Sequence, residues 1–351
     1  MNKLVLVTGG AGYIGSHLCI ELLQAGFEVV VVDNLSNGSK VALDRVSRIT
    51  CKPLKFHQID VCDRDQLIGV FKAYVINTVI HLAGLKAVGQ SCKQPLKYFQ
   101  NNLISSMVLV DLMQQFSVNQ LVFGSSATVY GDPTSLPIDE SFPLFATNPY
   151  GRTKLIIEEI LQDISTVPKS NLNIVLLRYF NPVGAHPSGL IGEDSGDIPN
   201  NLFPYTSQVA IGKLKKVLVF GNDYATEDGT GVRDYIHVVD VAKGHVQALT
   251  FIGQGNNDKR CTIFNLGTGR GHSVLEVIDT FRRVSRRDIP YQILPRRLGD
   301  VAACYANPRL ANEILGWYAG KTLIDMVTDS WRWQSINPEG YADDRSKYIK
   351  S

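Results

Sequence analysis

A short apolar run that opens directly into a glycine-rich turn constrains the fold of this chain more than any other segment. The stretch LVLVTGGAGYIGSH places Gly9, Gly12 and Gly15 between a strand-like run and a helical pattern. Glycines in this position allow a tight turn and let the backbone approach a pyrophosphate, towards which the helix directs its unpaired N–H groups. The spacing is G-x-x-G-x-x-G rather than G-x-G-x-x-G, so the triplet by itself is weak evidence for a dinucleotide site.

An acidic residue at the end of the next apolar run strengthens this interpretation. The run EVVVVD ends on Asp33, roughly 20 residues after the glycines, where a carboxylate holds the ribose hydroxyls of adenosine. The same charge would repel a 2′-phosphate, so NAD is predicted rather than NADP. A later run ends in HQIDV, which makes Asp60 and Val61 weaker candidates for contacts near the adenine. The alternative, a capping loop followed by a surface aspartate, is disfavoured by the strand–loop–helix context.

Apolar runs and helical patterns alternate through the first half of the chain. Short runs rich in Val, Ile, Leu and Phe are typical of strands that are buried on both faces. Strands are predicted at 4–8, 28–33, 55–60, 78–82, 120–124 and 173–179, and helices at 13–25, 64–74, 95–116 and 150–164. The alternation predicts an α/β fold with a doubly wound, parallel Rossmann sheet.

The character of the sequence changes after Asn181. The stretch AHPSGLIGEDSGDIPNN is rich in Gly, Pro, Asp and Asn, which predicts an irregular connection. We therefore predict an NAD-binding domain over 1–181 and a smaller, C-terminal substrate-binding domain over 182–351. Parts of about 233–270 are expected to pack back on the first domain.

Composition excludes several classes of function. The chain has 35 basic and 33 acidic residues, for a net charge of +2, and no basic stripe could follow a phosphate backbone, so nucleic acid is not expected as a partner. The six cysteines form no C-x-x-C pair and do not cluster with histidines, so neither a metal site nor a disulfide framework is expected. The first apolar run is too short for a signal peptide, and no window is long enough to span a bilayer. A cytoplasmic protein without membrane contact is predicted.

Two short motifs carry the predicted chemistry. The strip GSSATVYG follows the fifth strand. In an open parallel sheet, ligands bind in the crevice outside the carboxyl ends of the strands. The hydroxyls of Ser125, Ser126 and Thr128 are therefore expected to face this crevice. The motif NPYGRTK places Tyr150 and Lys154 at i and i+4 on one helix face. A phenol with a pKa of ~10 is a poor base at neutral pH, but a neighbouring cation favours the phenolate. An exposed helix pair is the alternative, but beside the glycine loop and the serine strip a catalytic pair is predicted.

At this point the sequence resembles a known family. TGGAGYIGSH, SSATVYG and YGRTK together are similar to the extended short-chain dehydrogenase/reductase family. The longer segments HLAGLKAVGQS, RYFNPVGAHPSG, IPNNLFPY and EDGTGVRDYIHVVDVAKGH resemble the members of that family that epimerise UDP-hexoses at C4. The resemblance extends from residue 4 to about residue 340. It implies a tightly bound, catalytic NAD, UDP-hexose substrates, transient oxidation at C4 to a 4-keto intermediate, and a homodimer.

The resemblance also implies roles for individual residues. Tyr150 would be the acid/base, Lys154 would orient the nicotinamide ribose and lower the tyrosine pKa, and Ser126 would bind the C4 oxygen. The implied cofactor-binding residues are Gly9, Gly12, Tyr13, Ile14, Gly15, Asp33, Asn34, Asp60, Val61, Leu82, Ala83, Lys86, Tyr150, Lys154 and Tyr179. The implied substrate-binding residues are Lys86, Ser126, Tyr150, Asn181, Asn201, Leu202, Leu218, Phe220, Arg233, Tyr235, Arg297, Asp300 and Cys304. Arg233 and Arg297 suit the diphosphate, because guanidinium groups bind phosphate through two hydrogen bonds.

Cys304 bears on the choice of sugar. In the family this position lies near C2 of the hexose, where a tyrosine crowds out an N-acetyl group and a small residue leaves room. Because a close-packed pocket has no space for added atoms, Cys304 predicts that UDP-GlcNAc and UDP-GalNAc are accepted as well as UDP-glucose and UDP-galactose. The alternative is a small buried cysteine without influence on the sugar.

Two other functions remain open from the sequence. Nucleotide-sugar dehydratases of the family carry an Asp-Glu pair after the strand-five strip, whereas Ala127 and Thr128 stand there in this chain and cannot exchange protons as carboxylates do. A non-catalytic dinucleotide-binding regulator is more distant, because Ser126, Tyr150 and Lys154 are all present. For the homodimer, the helices at 95–116 and 150–164 are the predicted interface, unless they only cover the sheet.

Overall fold

The computed structural model describes residues 4–168, 170–194, 199–254, 260–297 and 300–342. The strands of the described residues are β1 (Leu4–Thr8), β2 (Glu28–Asp33), β3 (Lys55–Gln58), β4 (Thr78–His81), β5 (Gln120–Ser126), β6 (Asn173–Tyr179), β7 (Asn181–Val183), β8 (Val217–Phe220), β9 (Val232–Arg233), β10 (Tyr235–His237), β11 (Cys261–Leu266), β12 (His272–Ser273), β13 (Tyr291–Leu294) and β14 (Ala303–Cys304). The helices are α1 (Tyr13–Gln24), α2 (Lys40–Thr50), α3 (Arg64–Ala73), α4 (Val88–Lys93), α5 (Pro95–Gln115), α6 (Pro149–Thr166), α7 (Leu202–Ala210), α8 (Val238–Gly253), α9 (Val274–Ser285), α10 (Arg309–Leu315) and α11 (Leu323–Ile336), with a 3₁₀ turn at Ala127–Tyr130.

The main sheet has seven parallel strands in the order β11-β6-β5-β4-β1-β2-β3. The chain winds outward from β1 in one direction and then, after β3, crosses back to β4 and winds in the other. The strand order therefore reverses between β1 and β4, and ligands bind at such a switch point, outside the carboxyl ends of the strands. This topology confirms the predicted doubly wound α/β fold.

The core explains why these strands read as continuous apolar runs. The four central positions of β2 are valines that are buried on both faces of the sheet. One face packs against α1 and α8, through side chains such as Leu18, Leu22 and Leu249. The other packs against α3, α5 and α6, through side chains such as Leu112 and Ile157. Helices on both faces keep the central strands out of water, as a parallel sheet requires.

Some predicted limits differ from the structure. The predicted strands at 55–60 and 78–82 end earlier, at Gln58 and His81, because the chain turns into loops at the carboxyl edge. The predicted strand at 120–124 continues to Ser126, because Ser125 and Ser126 pair with Arg178 and Tyr179 of β6. The extension carries Ser126 to the edge of the sheet where β6 also ends.

The chain returns to the main sheet partway through its second half. Strand β11 pairs with β6 in parallel, and α8 packs on α1, although both follow residue 182. Helices α7, α9 and α11 enclose a separate core around Phe203, Phe281 and Met326. The domain limits themselves stay a prediction. No helix in the described ranges is both long and apolar enough to cross a membrane.

Candidate active site

The glycine loop leaves no room for side chains between β1 and α1. Gly9 has φ +73°, and a Cβ there would lie 2.7 Å from the backbone nitrogen of Ala83. A Cβ on Gly15 would lie 2.2 Å from the Gly9 carbonyl oxygen, so both positions require glycine. Gly12 caps α1 without a side-chain hydrogen bond to its first turn. The helix N-terminus is therefore offered to an anion, as the pyrophosphate of a dinucleotide requires.

The carboxylate of Asp33 lies at the end of β2 beside this loop. Its Oδ2 accepts from Ala11 N at 3.0 Å, and its Oδ1 accepts from Leu35 N at 2.8 Å. Burial raises the pKa of Asp33, while these two N–H groups act against the rise. Each oxygen keeps a second lone pair for the hydroxyls of a ribose.

Asp60 lies near the same end of the site. It accepts from Asn34 Nδ2 at 2.9 Å and from Cys62 N at 2.9 Å. Although burial raises its pKa, the hydrogen bonds from Cys62 and Asn34 bring the pKa of Asp60 below its usual value. Asn34 and Asp60 are thus joined by a hydrogen bond, whereas Val61 is buried in the core. Their contacts with the adenine stay a prediction.

Tyr150 enters the crevice from the first turn of α6. The helix begins here because Asn148 caps Gly151 N at 2.9 Å and Pro149 occupies the first turn, where its missing N–H is not needed. Burial raises the pKa of Tyr150 to about 12, a hydrogen bond with Ser126 lowers it, and Tyr98 raises it further. The phenol of the protein alone is therefore a proton donor at neutral pH.

Lys154 lies one turn further along α6 and is buried. Its Nζ donates to the Gly124 carbonyl oxygen at 2.7 Å and lies 4.6 Å from the centre of the Phe123 ring. Burial lowers the pKa of Lys154 to about 8, while Glu158 raises it. Burial, Ser126 and Tyr98 are the causes that shift the Tyr150 pKa. The lowering expected from Lys154 stays a prediction.

The hydroxyls of the serine strip point in different directions. Thr128 Oγ1 donates to Ser126 Oγ at 2.9 Å, on the side of Tyr150. Ser125 points away from the crevice, and its Oγ donates to the carboxylate of Glu158. The expectation that Ser125 faces the crevice is wrong, because successive side chains of a strand point to opposite faces of the sheet.

A buried ion pair lies behind the catalytic helix. Glu158 and Arg178 are 0% and 1% exposed and are joined at 2.6 Å, and Arg178 also donates to the Tyr130 hydroxyl at 2.9 Å. Because the partners come from α6 and β6, the pair fixes the helix against the sheet. Nothing in the periodicity of the sequence identifies such a pair, and we did not predict it.

Tyr179 forms one wall of the crevice. Its hydroxyl lies 2.7 Å from Nε2 of His245, whose Nδ1 lies 2.9 Å from the Val241 carbonyl. A carbonyl can only accept, so Nδ1 carries the proton and the tyrosine donates to Nε2. A Cβ at Gly124 would lie 2.4 Å from this hydroxyl, so glycine lets Tyr179 pass. His245 is a supporting residue that the sequence did not reveal.

The predicted nucleotide-sugar residues come together on the far side of the crevice. Leu218 and Phe220 lie two apart on β8 and share its half-exposed face. Arg297 lies 4.4 Å from the centre of the Phe220 ring. Burial raises the pKa of Tyr235 to about 12, while Arg233 and Arg297 lower it. Both arginines therefore lie close enough to Tyr235 to share one site.

The other residues predicted to bind the nucleotide sugar lie close to Tyr235 and the two arginines. Cys304 pairs with Arg233 across β14 and β9, and it is half-buried. Asp300 accepts from Arg297 Nε at 3.0 Å in an exposed ion pair. Asn181 N donates to the Asp234 carbonyl at 3.0 Å, which brings the end of β6 next to β9. Asn201 and Leu202 begin α7.

One further carboxylate, that of Glu193, lies between the predicted cofactor-binding residues and the predicted sugar-binding residues. Glu193 Oε1 accepts from Lys86 Nζ at 3.3 Å and from Asn201 Nδ2 at 3.1 Å. Both donors were predicted, but Glu193 was not, because it belongs to an irregular connection. Within the ranges that the structure covers, no group of three or more His, Cys, Asp or Glu side chains could hold a metal ion.

Comparison with known proteins agrees with this geometry. The sequence model of the NAD dependent epimerase/dehydratase family matches residues 5–267. A UDP-glucose 4-epimerase of Dictyostelium discoideum is 56% identical over 343 residues, which are 98% of this chain and 99% of the relative. One of Bacillus subtilis is 56% identical over 96% of this chain and 98% of its own length. The crystal structure of UDP-glucose 4-epimerase from Bifidobacterium longum in complex with NAD+ and UDP has a TM-score of 0.92 at 53% identity, over 96% of this chain and 99% of that one.

Proposed function

The chain belongs to the NAD dependent epimerase/dehydratase family, and on that premise we propose that it is a UDP-hexose 4-epimerase that interconverts UDP-glucose and UDP-galactose. The observation that carries the proposal is near full-length similarity to UDP-glucose 4-epimerases, together with the grouping of Ser126, Tyr150 and Lys154 at the carboxyl end of β5. The similarity to these proteins confirms the predicted epimerase function and the predicted use of NAD.

The residues present fit NAD. The glycine loop has no space for side chains and directs a helix N-terminus at the pyrophosphate position, and Asp33 presents two oxygens for a ribose. Bound there, NAD would supply a reversible acceptor for the hydride of C4, so the reaction would have no net oxidation. An oxidised nicotinamide also carries positive charge, which suits a site where the protein alone keeps the phenol protonated.

The chain's own residues move one proton. The positive charge that bound NAD would bring favours the phenolate of Tyr150. This phenolate takes the proton of the C4 hydroxyl while the carbon is oxidised, and the resulting phenol gives the proton back to the oxygen of the 4-keto sugar. Ser126 hydrogen-bonds the same oxygen and orients it towards Tyr150. The hexose presents its opposite face between the two steps, while Arg233 and Arg297 hold the diphosphate in place. Product and substrate therefore have equal mass and opposite configuration at C4.

The dehydratase alternative is less consistent with the site. Loss of water needs a second acid/base pair near the sugar. Ala127 and Thr128 follow Ser126 in the 3₁₀ turn, and Thr128 is engaged as a donor to Ser126. Neither Ala127 nor Thr128 carries a carboxylate, which favours epimerisation. A non-catalytic regulator would have no need of the Ser126–Tyr150 hydrogen bond.

The N-acetylated sugars are a finer part of the proposal. Cys304 lies beside Arg233 and packs against Val129, Phe180 and Ala306, so it belongs to the wall where the sugar would lie. Its small volume supports acceptance of UDP-GlcNAc and UDP-GalNAc. The described cysteines are all free, which supports the proposed cytoplasmic location.

Incubation with sugars tests the function directly. We expect purified protein, without added NAD, to convert UDP-glucose to UDP-galactose and the reverse, because NAD is retained from expression. Chromatography and mass spectrometry of the products provide the measurement. A product that is lighter by one water would establish the dehydratase instead, and unchanged UDP-sugars, with or without added NAD, would contradict catalysis.

A homodimer through the helical pair is the last part of the proposal. Helix α5 exposes Leu96, Ile104 and Met107 by 67%, 41% and 47%, although its opposite face is buried in the core. Exposed apolar side chains on one packed helix are typical of a surface that is covered in an assembly. We propose that α5 and α6 of two copies form a four-helix bundle.

The proposed interface predicts that substitutions within it halve the molar mass measured in solution. Wild-type protein should behave in light scattering as twice the 38.8 kDa chain, and a double change of Ile104→Glu and Met107→Glu should give the single chain mass, because two buried charges oppose packing. Val75→Glu is the matched control, since Val75 is 76% exposed outside this face and its change should leave the dimer intact. A monomeric wild type, or a dimeric double variant, would contradict the interface.

A further inference from the structure

A single carboxylate in the connection after β7 joins the two sides of the crevice. Glu193 Oε1 lies 3.3 Å from Lys86 Nζ, which follows β4 on the cofactor side, and 3.1 Å from Asn201 Nδ2, which precedes α7 on the sugar side. The Glu193 side chain is only 11% exposed, whereas Lys86 is 48% exposed. Glu193 also raises the pKa of Tyr13, after the effect of burial. The carboxylate is therefore placed against residues of both binding regions.

The backbone that carries Glu193 is fixed from behind. Trp333 Nε1 donates to the Glu193 carbonyl at 3.2 Å, and the Tyr341 hydroxyl lies 3.2 Å from the Gly192 carbonyl. A Cβ on Gly192 would lie 2.3 Å from Cγ of Trp333, so glycine lets the chain lie on the indole ring. These contacts come from α11 and the turn that follows it. The side chain thus projects into the crevice from a rigid support.

The geometry of Asn201 provides an independent observation. Asparagine at an N-cap normally accepts a hydrogen bond from the first turn of its helix. Asn201 is the N-cap of α7 but makes no such bond, and its amide instead donates to Glu193. That donation identifies the nitrogen end of the amide and directs the Oδ1 acceptor away from Glu193. The first turn of α7 therefore lacks a hydrogen bond from the side chain of its N-cap residue, and that side chain binds Glu193 instead.

We propose that Glu193 is a positioning residue of the epimerase, which holds Lys86 and Asn201 at fixed places across the crevice before the UDP-sugar binds. This inference rests on the proposed function. Lysine has the longest flexible side chain among these groups, so it gains most from being held by a fixed charge. Because neither donor moves the proton or the hydride, the loss of Glu193 should weaken substrate binding and leave the chemical step almost unchanged.

A double-mutant cycle between Glu193 and Lys86 provides the test. Glu193→Ala should raise KM for UDP-glucose about tenfold and change kcat less than about threefold, since a hydrogen bond to a charged group is lost but Lys86 is half-exposed. Glu193→Gln keeps an acceptor for Asn201 and should show a smaller rise. Lys86→Met should have a weaker effect in the Glu193→Ala background than in wild type, because the two residues act as a pair. The rise in melting temperature on addition of UDP-glucose should fall in parallel with binding.

The controls separate this inference from the proposed function. Glu339→Ala removes an exposed carboxylate that pairs with Lys213 and should leave KM unchanged. A wild type that does not epimerise UDP-glucose would refute the proposed function, whereas an active wild type with a normal KM in both Glu193 variants would refute the positioning role alone. A lower KM in Glu193→Ala would mean that the carboxylate opposes the diphosphate, and it would also overturn the inference. If Glu193→Ala does not fold, the nearly isosteric Glu193→Gln provides the test: a raised KM supports the positioning role, and a normal KM refutes it.

Discussion

Tyr150→Phe is expected to lower kcat for UDP-glucose by about 10³-fold, within the range found for removal of a general acid/base. Tyr150 is the proton carrier at the C4 oxygen, and its hydrogen-bond partner Ser126 has an alcohol that cannot replace a phenol in this role. The ring itself would remain in its buried place, so KM should change less than about threefold. Initial rates in both directions, measured by chromatography of the two UDP-hexoses, provide the readout.

The control for this prediction is another buried tyrosine. The hydroxyl of Tyr224 is buried and makes no hydrogen bond with the described residues, so Tyr224→Phe removes the same atom without affecting the proton path. It should retain kcat within about twofold. Full turnover by Tyr150→Phe would mean that another group moves the proton, and the site would then have to be assigned again.

Lys154 shows what the spacing of a sequence motif can and cannot predict. The i, i+4 spacing correctly places Tyr150 and Lys154 on one helix, but it does not say what the ammonium contacts. In the structure the ammonium binds the Gly124 carbonyl, and burial lowers its pKa to about 8. Burial is the largest influence on the pKa of both groups and favours the neutral form of each. We infer that the charge balance of the site depends on the cofactor as much as on the pair.

The sheet was largely predictable because its signal is local. Strands β1, β2 and β6 begin and end at the predicted residues, since each contains an unbroken run of apolar residues. Strand β11, with the sequence CTIFNL, was missed because Thr262 and Asn265 interrupt its apolar run. Its pairing with β6 is a tertiary contact, and such contacts override local propensity.

The supporting residues of the site could not be predicted in this way. Ser125 was assigned to the crevice, although its position next to Ser126 on one strand already required the opposite face. Glu158 and Arg178 are distant in sequence and meet only because α6 packs on β6. Their burial costs desolvation that only close pairing offsets, and pairing of this kind leaves no periodic trace. Motifs therefore identified the reacting groups better than the residues that hold them.

Cys304→Tyr is expected to abolish the turnover of N-acetylated sugars and to spare the plain hexoses. The residue is half-buried on β14, next to Arg233 and in contact with the apolar cluster of Val129, Phe180 and Ala306. A phenol ring has no space to enter that cluster, because well-packed cores do not accept added atoms, so it must project towards the sugar. There it would occupy the volume that an N-acetyl group at C2 requires.

The expected result is a change of specificity rather than of activity. Wild type should convert UDP-GlcNAc to UDP-GalNAc, and Cys304→Tyr should lower kcat/KM for that pair by at least about 100-fold while kcat/KM for UDP-glucose changes less than about fivefold. Cys304→Ser is the matched control, because it keeps the small volume and should retain both activities. A wild type without N-acetyl activity would contradict the proposed gate, and a tyrosine variant that keeps it would show that the pocket accommodates the sugar elsewhere. Either outcome would leave the epimerase itself intact, because Tyr150 and Cys304 act on different carbons of the hexose.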